Sequence, residues 1–460
     1  MPINPSIFKA YDIRGVYSDE INEETAFLIG RAFITYLKIN RQMPSHIKII
    51  ISRDARPSSL ALENNLIKGL VSENVKIIRT GLTSTPMHYW IINKELADAG
   101  VMVTASHNPK KFNGFKISKE TAIPMGFDSG LKEIKNIMEK KSFENSGSEN
   151  FFIYDQNYLK EYVHFLTNNL KLLPMKIAID NGNGMAGLIL TELFKEFPMI
   201  KIIPLYFEPN GAFPNHEANP LKEETLTMLK NTIKIEKADL GIAFDGDGDR
   251  VFFLTSFSQR IPADLITALV AEDYLKKNPG AKIIYDPRSS KIVGETIEKN
   301  NGKPIISQVG HAFFKRRLRQ EEAVFGGELS GHYYFKDFFN ADSGIFAMLK
   351  ILSIISENKK SLEDLIQPFK KYFQSGEINF EIKNREEAIK RIEKNYENKA
   401  EKIDKIDGLT MEFDWQNLTG GWWFNVRPSN TESLLRLNLE AKTDYLMREK
   451  IKEILDLILN

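Results

Sequence analysis

Ala238-Asp239-Leu240-Gly241-Ile242-Ala243-Phe244 is an apolar, strand-like run, and it leads into Asp245-Gly246-Asp247-Gly248-Asp249-Arg250. In extended backbone every second side chain projects to the same side, so the three carboxylates share a face. The glycines between them remove bulk and let the chain curl until the oxygens converge. Crowded carboxylates repel one another, and a hard divalent cation removes that repulsion. All-oxygen ligation favours magnesium or calcium over zinc. The plain alternative is an acidic surface turn, which is how a single Asp-Gly pair would be read. Three in register after a buried strand read as a metal loop. A calcium EF-hand needs glycine at its sixth position and glutamate at its twelfth, and Arg250 and Ser256 stand there instead. Arg250 puts a fixed cation beside the acids, which suits an anionic ligand such as phosphate.

On the N-terminal side the pattern alternates. Residues 47–51 read as a strand, 59–71 as a helix, 75–78 as a strand, 86–96 as a helix and 100–103 as a strand. Strands alternating with helices predict a layered α/β sheet, whose ligands gather at the carboxyl ends of the strands. One such loop is Thr104-Ala105-Ser106-His107-Asn108-Pro109, followed by Asn113-Gly114-Phe115-Lys116. A serine hydroxyl is a weak nucleophile unless a base or metal activates it. Adjacent side chains on extended backbone diverge, which argues against His107 as that base. Tyr11-Asp12-Ile13-Arg14-Gly15 offers an arginine in a short loop, a solvated charge when taken alone.

Residues 141–150 are polar and read as a linker, and 154–170 as a helix. The turn Asn181-Gly182-Asn183-Gly184-Met185-Ala186-Gly187 follows a strand at 176–180. It lacks the Lys-Ser/Thr of a P-loop and the dinucleotide spacing, so its glycines read as structural. Further on, 262–276 reads as a helix, 282–285 as a strand, and Gly310-His311 opens a basic helix. Phe325-Gly326-Gly327-Glu328-Leu329-Ser330-Gly331-His332 sets Glu, Ser and His at alternating positions, a polar head suited to sugar hydroxyls. Residues 340–355 read as an apolar helix. The last part adds a charged helix at 385–402, strands at 409–413 and 421–426, and a terminal helix at 445–459. Between them Arg427-Pro428-Ser429-Asn430-Thr431-Glu432-Ser433 supplies a guanidinium, hydroxyls and an amide, an inventory for phosphate.

The chain has 460 residues, which predicts three or four domains. Apolar residues make up 42% and charged residues 27%, as in a soluble globular protein. A net charge of +1 gives no field for nucleic acid or an anionic membrane. With no cysteine, disulfides and thiolate metal sites are excluded. There is no signal-peptide pattern at the start and no uncharged run near the ~20 residues of a membrane span, so a cytoplasmic protein is expected.

Taken together, the four motifs around Ser106, Asp245, Glu328 and Arg427 resemble the α-D-phosphohexomutase superfamily, in the phosphomannomutase/phosphoglucomutase branch. Each motif alone is common, but their order and spacing across nearly the whole chain are specific. The resemblance implies three successive mixed-sheet α/β domains and a smaller C-terminal α+β domain of the TATA-binding-protein-like type, around a central cleft. The expected division is 1–150, 151–255, 256–374 and 375–460. It implies a mutase interconverting hexose 1-phosphate and hexose 6-phosphate, of mannose or glucose, with a hexose 1,6-bisphosphate as intermediate and activator. Ser106 would carry a phosphoryl group, and Mg2+ would be held by Asp245, Asp247, Asp249 and that phosphoserine. Arg14, Lys116, Arg250 and His332 would serve the transfer, with Arg14 and His332 as acid/base candidates. Tyr11, Arg288, His311, Glu328, Ser330, Arg427, Ser429, Asn430 and Thr431 would bind substrate. Small hexose phosphates are the implied partners, with no nucleic acid and no membrane, and a monomer is the family default.

The sequence departs from relatives in two places. Arg288 stands where lysine is frequent, and Ser433 stands where the last motif often has proline. The nearest rival is a glucosamine-phosphate mutase, which usually has glutamine where this chain has Leu329. A magnesium-dependent sugar-phosphate phosphatase would share the serine and the metal. A non-catalytic sugar-phosphate binder would need neither.

Overall fold

A computed structural model describes residues 4–40, 47–71, 75–143, 151–382, 384–429 and 434–459. The chain divides into two compact units, one of residues 1–261 and 330–363, the other of 262–329 and 364–460.

The first unit holds two sheets. The larger has six strands in the order Ile13–Val16, Phe112–Lys119, Ala99–Val103, Ile47–Arg53, Val75–Leu82 and Phe151–Asp155. Ile47–Arg53 runs parallel to both of its neighbours. Its Ile-Lys-Ile-Ile-Ile run is buried on both sides, which is the signature of a central parallel strand. Loops leaving the carboxyl ends of three parallel neighbours therefore emerge side by side: 54–58, 83–84 and 104–109. The smaller sheet orders Val251–Thr255, Leu240–Phe244, Met175–Asp180 and Ile200–Leu205, with the middle pair parallel. Leu240–Phe244 is buried at every position, so it delivers the acidic loop from a rigid base. The hairpin Tyr333–Phe335 with Ala341–Asp342 and the helix Gly344–Asn358 also belong to this unit.

In the second unit Lys282–Tyr285 lies between Lys303–Ile306 and Phe325–Gly327, all parallel. Candidate site loops again leave the carboxyl ends of these strands, among them the one that holds Arg288. The last part is an antiparallel sheet, Phe373–Gln374, Leu434–Ala441, Trp422–Pro428, Leu409–Phe413 and Lys402–Asp404, with Ile378–Glu381 also on Leu434–Ala441. Ile392 and Tyr396 of the helix Arg385–Tyr396 pack with Ile454 and Ile458 of Asp444–Leu459 in one core with Phe424, Leu435 and Leu437.

Several boundaries differ from expectation, among them the strand from Val75, which runs on to Leu82. Phe151–Asp155 is a strand on the first sheet, and the following helix is only Leu159–Thr167. Its aromatic and β-branched residues favour strand, and Asn157 accepts from Leu159 N to start the helix behind it. The apolar helix begins at Gly344, where Ser343 caps it by accepting from Phe346 N at 3.1 Å. The charged helix ends at Tyr396, and 402–404 is a strand. Most of the expected linker, 144–150, lies outside the described residues. No helix among the described residues is long and apolar enough to cross a membrane.

Candidate active site

The serine loop and the triple-acid loop meet. Ser106 Oγ donates to Asp247 Oδ1 at 2.8 Å and lies 3.3 Å from Asp245 Oδ2. The two loops also touch through backbone. A Cβ on Gly246 would stand 2.6 Å from the Ser106 carbonyl oxygen, so no larger residue fits there. Ser106 itself has φ +51°, the left-handed region that L-residues rarely adopt. That turn overturns the expectation about His107: its Nδ1 lies 3.2 Å from Ser106 Oγ, because the backbone between them is not extended.

Lys116 enters from the strand Phe112–Lys119. Its Nζ donates to Asp247 Oδ2 at 2.6 Å and to Asp249 Oδ2 at 2.8 Å. Thr85, the first residue of the helix Thr85–Lys94, donates through Oγ1 to Asp247 Oδ2 at 2.7 Å and through its backbone N to Asp247 O at 3.1 Å. Arg14 donates to Asn108 Oδ1 at 2.6 Å and also to Asp12. Tyr11 sits half-buried in the bend before the strand Ile13–Val16.

Burial and mutual repulsion set the charges here. Burial, with Asp249 and Asp247 beside it, pushes the Asp245 carboxyl well up despite Arg250. Burial also opposes ionisation of Asp247 and Asp249, but Lys116 outweighs it and holds both below the usual carboxylate range, helped by Thr85 at Asp247 and by His332 and Arg250 at Asp249. Lys116 is correspondingly held well above its ordinary value, burial being overcome by the two acids. Burial and the nearby Arg250 and Arg14 hold His107 well below its ordinary value, hence neutral.

His332 reaches this cluster from just before the strand Tyr333–Phe335. Val251 N donates to Gly331 O at 3.1 Å, which ties the segment to the acidic loop. His332 Nε2 lies 3.3 Å from both Arg250 Nε and Asp249 Oδ1, and Nδ1 lies 3.0 Å from Ser330 Oγ. A proton on Nε2 would face the carboxylate, and an unprotonated Nε2 would accept from Arg250 Nε. Asp342 stands 3.9 Å from the same nitrogen.

The donors fit a hard divalent cation. The carboxylate oxygens of Asp245, Asp247 and Asp249 lie within 4.8 Å of one another, all three residues are buried, and a hydroxyl joins them. Asp249 Oδ1 is buried, and the imidazole nitrogen of His332 stands 3.3 Å from it. No nitrogen or sulfur ligand stands in that triad, as oxygen-loving cations prefer.

The second unit gathers the remaining candidates. Asp286 grips Arg288 through Nε at 3.0 Å and Nη2 at 2.7 Å, and accepts from Leu329 N at 2.8 Å. Glu328 Oε1 accepts from Gly310 N at 2.8 Å, just before His311 opens the helix His311–Glu321. Arg288, Arg427 and Arg436 converge on one carboxylate, Glu377, at 3.5, 3.8 and 3.2 Å. Ser429 is buried and donates through its backbone N to Leu434 O at 2.8 Å. Asn430 and Thr431, with Ser433, lie outside the described residues.

Sequence reading missed Arg56, Thr85, Glu377 and Arg436. A signal for one of them was present. Asp54-Ala55-Arg56 repeats the Asp-x-Arg spacing of Asp12-Ile13-Arg14 and Asp286-Pro287-Arg288. In all three the aspartate braces the arginine two residues on.

Four family models match in chain order: phosphoglucomutase/phosphomannomutase alpha/beta/alpha domain I at 5–145, domain II at 156–256, domain III at 262–372 and the C-terminal domain at 377–457. A phosphomannomutase of Escherichia coli is 38% identical over 98% of both chains. One from Methanocaldococcus jannaschii is also 38% identical, over 98% of this chain and 97% of its own. The crystal structure of a phosphoglucomutase/phosphomannomutase family protein from Burkholderia thailandensis superposes with a TM-score of 0.89 at 29% identity, covering 99% of this chain and 97% of that one.

Proposed function

Because this chain belongs to the phosphoglucomutase/phosphomannomutase family and is a hexose phosphate mutase, we propose that Ser106 carries the phosphoryl group it transfers. The observation that supports this is the placement of Ser106 Oγ, 2.8 Å from Asp247 Oδ1 and within reach of Asp245. Magnesium held by Asp245, Asp247, Asp249 and the phosphoserine would neutralise charge on the transferring group. Lys116 and Arg250 add fixed cations at the same place, oriented before reaction so that little reorganisation is needed.

Phosphoserine 106 gives its phosphoryl group to a hydroxyl of a hexose monophosphate. The serine oxygen–phosphorus bond breaks, a sugar oxygen–phosphorus bond forms, and the hydroxyl proton must leave. His332 is the candidate to move that proton, since an imidazole nitrogen can accept as well as donate, whereas a guanidinium only donates. Arg14, held on Asn108 and Asp12, orients phosphate beside the serine. The product of this half is a hexose 1,6-bisphosphate. It rebinds in the opposite sense, and its other phosphoryl group returns to Ser106. Glu328 and Ser330 read the sugar hydroxyls. Arg288, Arg427 and Ser429, with Asn430 and Thr431, hold the phosphate that is not moving. Leu329 in place of glutamine favours mannose and glucose phosphates over glucosamine phosphate.

Intact-mass analysis of the purified protein, with peptide mapping, tests this. One phosphoryl group on Ser106 is expected. Ser106→Ala should lose nearly all turnover while still binding sugar phosphate, and turnover like that of the parent would overturn the reading.

A further inference from the structure

We propose that Arg56 is a positioning residue for phosphoryl transfer: its guanidinium fixes the left-handed turn that aims Ser106 Oγ at the aspartates. Arg56 lies just past the strand Ile47–Arg53 and is almost wholly buried. Its Nη1 donates to the carbonyl oxygens of Pro109 at 2.9 Å and Phe112 at 3.0 Å, and its Nη2 to those of Ser106 at 2.8 Å and Asn108 at 2.6 Å. One planar fork thus gathers three carbonyls of the serine loop and that of Phe112, where the next strand begins. Of the four, the Ser106 carbonyl belongs to a buried residue, whose acceptor needs an internal donor.

The fork is itself held. Asp54 Oδ2 accepts from Arg56 Nε at 3.1 Å and from Thr104 Oγ1 at 2.8 Å, and Thr104 Oγ1 accepts from Ser106 N at 2.9 Å. Asp54 therefore ties the arginine and the serine backbone into one network. The opposite side is closed by the Phe213 ring, whose centroid is 5.1 Å from the guanidinium carbon. The 211 backbone packs so tightly that a Cβ on Gly211 would stand 2.2 Å from Arg56 Cα. A left-handed serine persists only where its surroundings over-determine it, and this network is what does so. Lysine would keep the charge but could not span four acceptors, because its donors share one nitrogen.

The inference rests on Ser106 being the phosphorylated residue, so phosphoserine is measured first on the parent protein. Arg56→Lys and Arg56→Ala are then assayed in the full-length chain at saturating magnesium. Misplacing a reacting atom by about 1 Å costs about 100-fold in rate, so kcat should fall by that order while KM for the sugar phosphate stays close to the parent value. Added guanidinium should restore turnover to Arg56→Ala and not to Ser106→Ala. If the arginine variants do not fold, Thr104→Val, which breaks the same network at its other end, should show the same loss in kcat alone. Parent-like kcat in Arg56→Lys or in Thr104→Val, or equal losses in kcat and KM without rescue, would overturn the role of Arg56 and leave Ser106 standing. Absence of phosphoserine from an active parent enzyme would overturn both.

Discussion

Lys116 is the group whose removal says most about the acidic cluster. Its Nζ sits 2.6 and 2.8 Å from two buried carboxylates. Methionine would fill much of the same volume and take away only the charge and the donors. Asp247 and Asp249 would then face Asp245 inside a buried cluster with one compensating cation fewer. Breaking a buried pair by removing one partner costs about 3–5 kcal/mol. The lysine is itself buried, and relieving that penalty moves the expectation to the lower end, about 3 kcal/mol. At roughly 2 °C per kcal/mol for a body of this size, metal-free Lys116→Met should melt about 6 °C below the parent. Calorimetry in chelator measures this. Magnesium held by the folded cluster would replace part of the missing charge, so it should raise Tm more in the variant than in the parent. Equal melting in chelator, or equal rises with magnesium, would refute the reasoning that Lys116 and a cation neutralise the same acids.

Glu440 predicts a pH dependence. Burial pushes its carboxyl up to about 7, while Oε1 accepts from Trp423 Nε1 and Lys291 N. A raised acid binds its proton more tightly in the folded state, so stability falls as pH rises from the ordinary carboxylate range to about 7. The loss is on the order of 3 kcal/mol, and Glu440→Gln should remove it: the two proteins melt together near pH 4.5 and the glutamine form melts higher at pH 8, whereas parallel curves would contradict it. Thr85→Val removes the hydroxyl on Asp247 and should weaken magnesium by about 10- to 100-fold in a calorimetric titration, with Thr85→Ser close to the parent. Arg427→Ala should raise KM for the sugar phosphate by about 10- to 100-fold, the worth of a charge-assisted contact, while Tm changes little. A rise in KM below about 2-fold would remove Arg427 from the phosphate site.

The layered sheets were legible because apolar strands and amphipathic helices have different periods, and both ran in clear alternation from Ile47 to Val103. The site loops were legible for a related reason: parallel strands send their carboxyl ends to one edge of their own sheet, and Ser106, Asp245 and Arg288 each follow a strand with a buried centre. What stayed hidden depends on backbone that departs from the regular pattern. His107 was placed away from the serine on the assumption of extended chain, and φ +51° at Ser106 reverses that. Thr85 and Glu377 were invisible because each acts on residues distant in sequence, Asp247 and Arg427. Tyr154 and Asp155 were misread as the start of a helix because an aromatic residue fits a helical face as well as a pleated one.

The contact between Gly246 and the Ser106 carbonyl has a practical meaning for anyone recombining this enzyme with its kin. Two segments more than a hundred positions apart share a seam with no slack, so a crossover placed between them inherits one half of a matched fit. Hybrids that swap the N-terminal sheet alone should be handicapped even when every motif is intact, and hybrids that carry both segments from one parent should not.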